Sequence, residues 1–163
     1  MRLKKLTDAF YRENTHLIEA LDLVKGSWIK GKTRGYGIVV ITFNGLRFGV
    51  PLRSNINHDA AYLTVRTSRY NPSNKGLDFS KALLIKTESY ISADNFSIPN
   101  SEHDKLKGKE HFITSRFEKY VEKYVAAVSN GDKNVLGSRE YVFTTLQNYH
   151  TELGIRSPSS VPI

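Results

Sequence analysis

The sequence predicts an α+β fold: a compact, strongly bent antiparallel sheet, or partly open barrel, with helices packed around it. Three observations predict it. Two runs rich in β-branched and aromatic residues, "YGIVVITF" and "LRFGVPL", are joined by Asn44-Gly45, a pair that tolerates the positive φ angles of a two-residue hairpin turn. Further strand candidates follow closely, without the strand–helix alternation of a doubly wound sheet. Beyond "SIPNSEHDKLKGKEH" the apolar period changes, and Ile113, Phe117, Tyr120, Val121, Tyr124, Val125 and Val128 line one face of a helix.

Taken in order, "LKKLTDAFY" fits either a strand or the start of a helix. "RENTHLIEALDLV" places Leu17, Ile18 and Leu21 at helical spacing and reads as a short helix. "KGSWIKGKTRG" is a basic loop punctuated by glycine, and the hairpin follows it. "YLTVR" is a short strand and "SRYNPSNKG" a loop. "ALLI" and "YIS" are further strands. Ser101 and Glu102 open the long helical region, which Gly108 is placed to interrupt and "NGDKN" closes. A last helix is predicted over about Ser138 to Leu153, stopped by Gly154. One domain over 1–155 is expected, followed by a disordered tail over 156–163.

Composition narrows the function classes. The chain has 163 residues, no cysteine and a net charge of +8. Disulfides and thiolate metal sites are thereby excluded. No apolar run approaches a membrane span, and "MRLKKLTDAFYRENTHL" lacks the apolar core of a signal peptide, so a cytoplasmic protein is expected. Residues 1–75 hold 13 Lys and Arg against 5 Asp and Glu, whereas residues 76–163 hold 11 of each. The whole excess lies in the first half, which points to a polyanionic partner, nucleic acid first. A generally basic, solvated surface is the plainer alternative. There is no Walker A motif, no HExxH, no EF-hand spacing and no nucleophile elbow, and the five histidines are scattered, so neither a metal nor another cofactor is expected.

Two clusters carry candidate chemistry. The basic loop holds Lys25, Lys30, Lys32 and Arg34, with Trp28 and Tyr36 interleaved as surfaces on which bases could stack. Equally, Trp28 could plug the core. The second cluster sits where the hairpin ends. Arg34 precedes its first strand and Arg53 and Ser54 follow its second, so Lys32, Arg34, Arg53, Ser54 and His58 could surround one phosphate. Such a set suits RNA scission without a metal. The 2′-hydroxyl loses a proton, the leaving 5′-oxygen gains one, and cations stabilise the crowded phosphorus. By spacing alone the commoner arrangement is that Arg53 and Ser54 merely end a strand while His58 caps a turn. Asn55 stands in the same cluster, and Lys75 in its glycine-containing loop is a further phosphate contact. Asp78, Ser80 and Lys81 are noted in "NKGLDFSKALLI", where Ser80 and Lys81 read as a lead into a strand.

The run "GYGIVVITFNGLRFGVPLRS" resembles the hairpin of the ToxN/AbiQ-like toxins of type III toxin–antitoxin systems, in which "-IGIVL-" and "-Y-APL-S" patterns recur. "GLDFSKALLI" and "FTTLQNYHTELG" are similar to the later strand and last helix of that family, in its TenpN branch. The resemblance covers roughly residues 2–154. It is most specific at Pro51-Leu52-x-Ser54. It implies a fold similar to MazF, Kid and CcdB, and a metal-independent endoribonuclease that leaves 2′,3′-cyclic phosphates. It also implies inhibition by a structured, pseudoknotted repeat RNA that the toxin processes and stays bound to in a toxin–RNA hetero-oligomer. The substrate would be cellular or phage RNA, and the role abortive infection in phage defence.

Position by position, the family's serine falls on Ser54. Its preceding threonine falls on Arg53, a departure. Its lysine before the first hairpin strand falls near Thr33, where Lys32 and Arg34 are the cations at hand. Its second lysine, after the serine, meets Ile56, with Asn55 and His58 beside it; His58 is the candidate replacement. Its N-terminal tyrosine corresponds to Phe10 or Tyr11, and Tyr11 is the choice. Besides the nuclease, two functions remain open: a non-catalytic RNA-binding module, and a toxin that poisons a protein target.

Overall fold

One long strand with different neighbours at its two ends organises the sheet. The computed structural model describes residues 1–29, 37–67 and 74–156. Its strands are β1 (Lys4–Leu6), β2 (Leu23–Val24), β3 (Ser27–Trp28), β4 (Ile38–Phe43), β5 (Leu46–Ile56), β6 (Ala61–Val65), β7 (Asn74–Asp78), β8 (Leu83–Leu84) and β9 (Ile91–Asn95). Its helices are α1 (Asp8–Glu13), α2 (Asn100–Leu106), α3 (Glu110–Asn130) and α4 (Lys133–Leu136). The main sheet has the order β6-β7-β5-β4-β1-β9, with β8 also paired to β5, while β2 and β3 form a small separate hairpin. All these pairings are antiparallel. Among the described residues the sheet stays open, with β6 and β9 at its edges.

The Asn-Gly hairpin forms as predicted. Asn44 and Gly45 take φ of 47° and 78°, and Phe43 faces Leu46 across the turn. The first half of β5 pairs with β4 and β8, where Phe48 faces Ile41 and Leu84. The second half pairs with β7, where Leu52 faces Leu77. The fully buried rings of Phe48 and Phe79 meet Phe117 of α3 edge-on, at 5.5 and 5.7 Å between ring centres. The face read from the sequence is the face that α3 buries: Ile113, Phe117, Tyr120, Val121 and Tyr124, joined by Ala127. Gly108 does interrupt the helical region. With φ of 73° it separates α2 from α3, and Gly131 at φ 63° closes α3 in the left-handed region.

Three elements differ from the sequence-based expectation. The helix predicted downstream of Tyr11 lies one segment earlier, over Asp8–Glu13, and residues 14–22 form turns. Leu17 and Ala20 still face the core, but Ile18 is exposed and Glu19 and Asp22 take positive φ, so the apolar spacing belongs to a covering loop. The final segment is a series of turns around a short 3-10 helix, Thr145–Asn148. Its Tyr141, Leu146 and Tyr149 are nevertheless buried. Lys75 lies in strand β7 rather than in a loop.

Close strand contact makes two glycines differ in kind. A Cβ on Gly76 would lie 2.1 Å from the Tyr62 carbonyl oxygen and 2.7 Å from Leu63 Cα, both backbone atoms that cannot step aside. A Cβ on Gly45 meets nothing, so only its positive φ is at stake. Gly45→Ala should cost about 1–2 kcal/mol, the strain of a left-handed residue. Gly76→Ala should cost about 3 kcal/mol, at the upper end of overpacking. Urea midpoints of the two variants, compared with the parent, check the ranking.

Candidate functional site

The site grows from a register shift. Arg53 on β5 faces Gly76 on β7, but the next matched pair is Ile56 with Asn74. Three steps on one strand therefore match two on the other, and Ser54 and Asn55 form a bulge. Asn55 sits at φ 57°, a left-handed conformation that asparagine tolerates better than most residues. Ser54 and Asn55 are exposed there, and the register sets Ser54 next to Lys75, which is exposed as well.

Strand pleating puts Arg53 on the face of β7 that carries Asp78, two residues beyond its partner. Because that partner is glycine, no side chain stands between them. Arg53 Nη1 donates to Asp78 Oδ2 at 2.9 Å. Asp78 itself has no solvent exposure, and its other oxygen is also saturated. Oδ1 accepts from the Ser80 backbone N–H at 2.9 Å and from Ser80 Oγ at 2.6 Å, and lies 3.2 Å from His58 Nε2. Burial pushes the Asp78 carboxyl up, but the bonds from His58, Ser80 and Arg53 outweigh it, and the group is held below its ordinary value.

Hydrogen-bond directions decide what this cluster can do. The Ala60 N–H donates to His58 Nδ1 at 3.1 Å, so the network assigns the ring hydrogen to Nε2, which faces Asp78 and lies 3.3 Å from Ser80 Oγ. Ser80 gives its own hydrogen to Asp78. The histidine thus offers the serine no free lone pair, and the three residues are not a nucleophile–base relay. They form a scaffold around one carboxylate. His58 is turned inward, its side chain 4% exposed, and acts as a cap on the turn that Ala60 ends.

What the scaffold aims outward is Arg53. Its side chain is 33% exposed, and only Nη1 is bound to Asp78, leaving further donors in a fixed orientation. With Lys81 it forms one wall of a cleft of about 740 Å³, whose other wall is the segment from Thr15 to Gly26, a loop that runs through β2 to the turn at Lys25. Lys81 ties the walls together. Its Nζ donates to the carbonyls of Glu19 and Phe143 at 2.8 and 2.9 Å and lies 3.7 Å from the Glu19 carboxylate. Burial holds the Lys81 ammonium below its ordinary value, with Glu19 opposing.

The remaining candidates divide by position. Tyr11 is buried in α1. Trp28 packs edge-on against it at 5.1 Å and donates from Nε1 to its carbonyl at 2.5 Å, so both rings belong to an aromatic group with Phe10 and not to the cleft lining. Lys30, Lys32, Arg34 and Tyr36 lie outside the described residues. The chain returns from them at Gly37, whose carbonyl accepts from Leu52 N at 2.9 Å, one residue from Arg53. Comparison with known family models, with curated proteins and with solved structures finds no match to this chain.

Sequence reasoning noted Asp78, Ser80 and Lys81 without placing them in the site, and passed over Glu19. The "Asp-x-Ser" spacing at 78–80 was the available signal, since an aspartate accepting from the residue two ahead is a common turn device. Among the described residues no group of three metal-binding side chains gathers, and no helix is long and apolar enough to cross a membrane.

The Asp78 scaffold makes a pH prediction. A carboxyl ionising below its ordinary 3.8 when folded stabilises the fold above that value and loses the contribution as pH falls through the folded-state value. Asp78→Asn strands Arg53 and disrupts the turn, and should cost about 3 kcal/mol at pH 7. Below about pH 4 the gap between parent and variant should narrow. Denaturant titrations of both from pH 7 to pH 2.5 test this; a gap independent of pH would show that the charge on Asp78 contributes nothing.

Proposed function

We propose that this protein is a metal-independent endoribonuclease toxin of the ToxN/AbiQ-like kind. It acts in the cytoplasm on cellular or phage RNA and is inhibited by a structured repeat RNA that it also processes, as a phage-defence system. The supporting observation is Arg53: a guanidinium fixed from behind by a buried carboxylate, with donors left over at the cleft wall and the exposed Ser54 next to it in the chain. The resemblance at Pro51-Leu52-x-Ser54 supports the same place. The change of partners along β5 supports the finer fold reading, a sheet bent towards the partly open barrel of the MazF, Kid and CcdB toxins.

In this reading the RNA 2′-oxygen attacks the adjacent phosphorus and gives up its proton, the P–O5′ bond breaks, and the leaving 5′-oxygen takes a proton. A 2′,3′-cyclic phosphate and a 5′-hydroxyl result. Arg53 binds the non-bridging oxygens and stabilises the charge that builds up on them. The Ser54 hydroxyl donates to one of those oxygens. Lys25 holds a neighbouring phosphate, and the resemblance implies Lys32 and Arg34 as further cations. One observation favours the second reading, a non-catalytic RNA-binding module. His58, the imidazole of this cluster, is occupied with holding Asp78 and Ala60.

Incubation of the purified protein with a long RNA in EDTA, with end-group analysis of the fragments, separates the readings. Cyclic-phosphate ends are expected. Arg53→Ala should slow cleavage about 100-fold or more, as removal of a transition-state donor does, and Ser54→Ala should also lose most activity. Folded, antitoxin-free protein that leaves the RNA intact would sink the nuclease and leave RNA binding or a protein target.

Binding to single-stranded RNA should weaken with salt, each phosphate contact adding about 0.7 to the log–log slope. Lys25→Ala should reduce that slope by about one contact. Anisotropy titrations over a range of salt concentrations check it, and an unchanged slope would remove Lys25 from the interface.

A further inference from the structure

The six large apolar side chains exposed among the described residues include Ile18 and Val24 on the cleft loop and Val142 and Phe143. Lys81 brings these two segments together, since its ammonium bonds the carbonyls of both Glu19 and Phe143. An apolar rim therefore includes Ile18 and Val24, which line the cleft with Arg53 and Lys25, and continues to Phe143, whose carbonyl bonds Lys81 of the same cleft.

Phe143 stands out within that rim. It is 59% exposed, yet it lies between two buried anchors, Tyr141 and Thr144. Tyr141 stacks on Tyr120 at 4.6 Å and donates to the Tyr120 carbonyl at 2.8 Å, and the Tyr120 hydroxyl lies 3.0 Å from Thr144 Oγ. The backbone of Ile18 is held from both sides by Asn148, which accepts from its N–H and donates to its carbonyl, each at 2.8 Å. Phe143 leaves more than half of its surface to solvent on a turn pinned on both sides. A pinned side chain loses little freedom on binding. The occupant that matches both halves of this surface is a strand with anionic links and flat apolar faces. Arg53 and Lys25 complement the phosphates, and the rim complements the bases.

We propose that Phe143 is the base platform of the site: the base next to the phosphate bound by Arg53 stacks on its ring, with Ile18 on the facing segment. Resting on the proposed RNA-directed function, this assigns the position at which the protein senses the base beside the cut. Stacking accepts every base and favours purines, which have the larger face. Asp22, on the cleft loop, is an acceptor for an exocyclic amine.

A double-mutant cycle between protein and oligonucleotide tests it without requiring cleavage. The probes are 2′-O-methyl RNA oligonucleotides, which cannot attack their own phosphates, intact or with one base removed at each position in turn. Phe143→Ala should weaken binding of the intact strand about tenfold, within the range for one stacked base. Phe143→Tyr should bind as the parent does. Removal of one particular base should cost the parent the same factor and cost Phe143→Ala nothing more. The salt slope of Phe143→Ala should match the parent, since no cation is lost. An equal loss on every oligonucleotide, no loss on any, or no binding by the parent would each overturn the platform, the last two leaving the rim to a protein partner. A positive cycle with protein that cuts no natural RNA would keep the platform and remove the nuclease, so the two failures are distinct.

Discussion

A carboxylate with no exposure to water must be satisfied by the chain around it, and at Asp78 that requirement shapes much of the site. Two oxygens receive the Arg53 guanidinium, the Ser80 N–H and hydroxyl, and the His58 imidazole. Each donor comes from a different part of the chain: the bulged end of β5, the turn after β7, and the loop between β5 and β6. Holding one charge therefore fixes three segments. An uncompensated carboxylate in the same place would cost several kcal/mol, so none of the three can leave without the others being disturbed. The bulge at Ser54 and Asn55 follows from this arrangement, because Arg53 must stay in register with Gly76 to reach Asp78 while Ile56 must stay in the core.

Local signals in the sequence were legible. Asn44-Gly45 specifies its turn by backbone chemistry, Gly108 breaks the helical region by taking a left-handed conformation, and the α3 face follows from periodicity alone. The misread segments are those whose structure is set from a distance. Leu17, Ile18 and Leu21 have helical spacing, but residues 14–22 are held by Asn148 and Lys81, which lie 130 and 62 positions away from their partners in the loop. Tyr141 and Tyr149 also mimic a helix face, yet Tyr141 is placed by its stack on Tyr120. No window of sequence contains those contacts. The same is true of the site. Arg53 was visible as a cation at a strand end, but its partner Asp78 is 25 residues on, and only the register of β5 with β7 brings them together.

The cleft's charges sort into those already engaged and those left to act outward. Lys81 is buried, bonded to two carbonyls and near Glu19, so its charge mainly cements the loop. Arg53 gives one nitrogen to Asp78 and keeps the rest of its fork. Lys25 sits at φ 49° on the loop beside Gly26, in a conformation most residues avoid, and lines the same cleft. Glu19 and Asp22 share that wall, so the cleft is not uniformly positive. A ligand bound purely by net charge would find little advantage there. A strand that presents a phosphate to Arg53 and Lys25, an amine to Asp22 and a flat face to Phe143 would use every group. For such a strand the basic excess of the first half would act from a distance, while the mixed cleft would select which part of it is held.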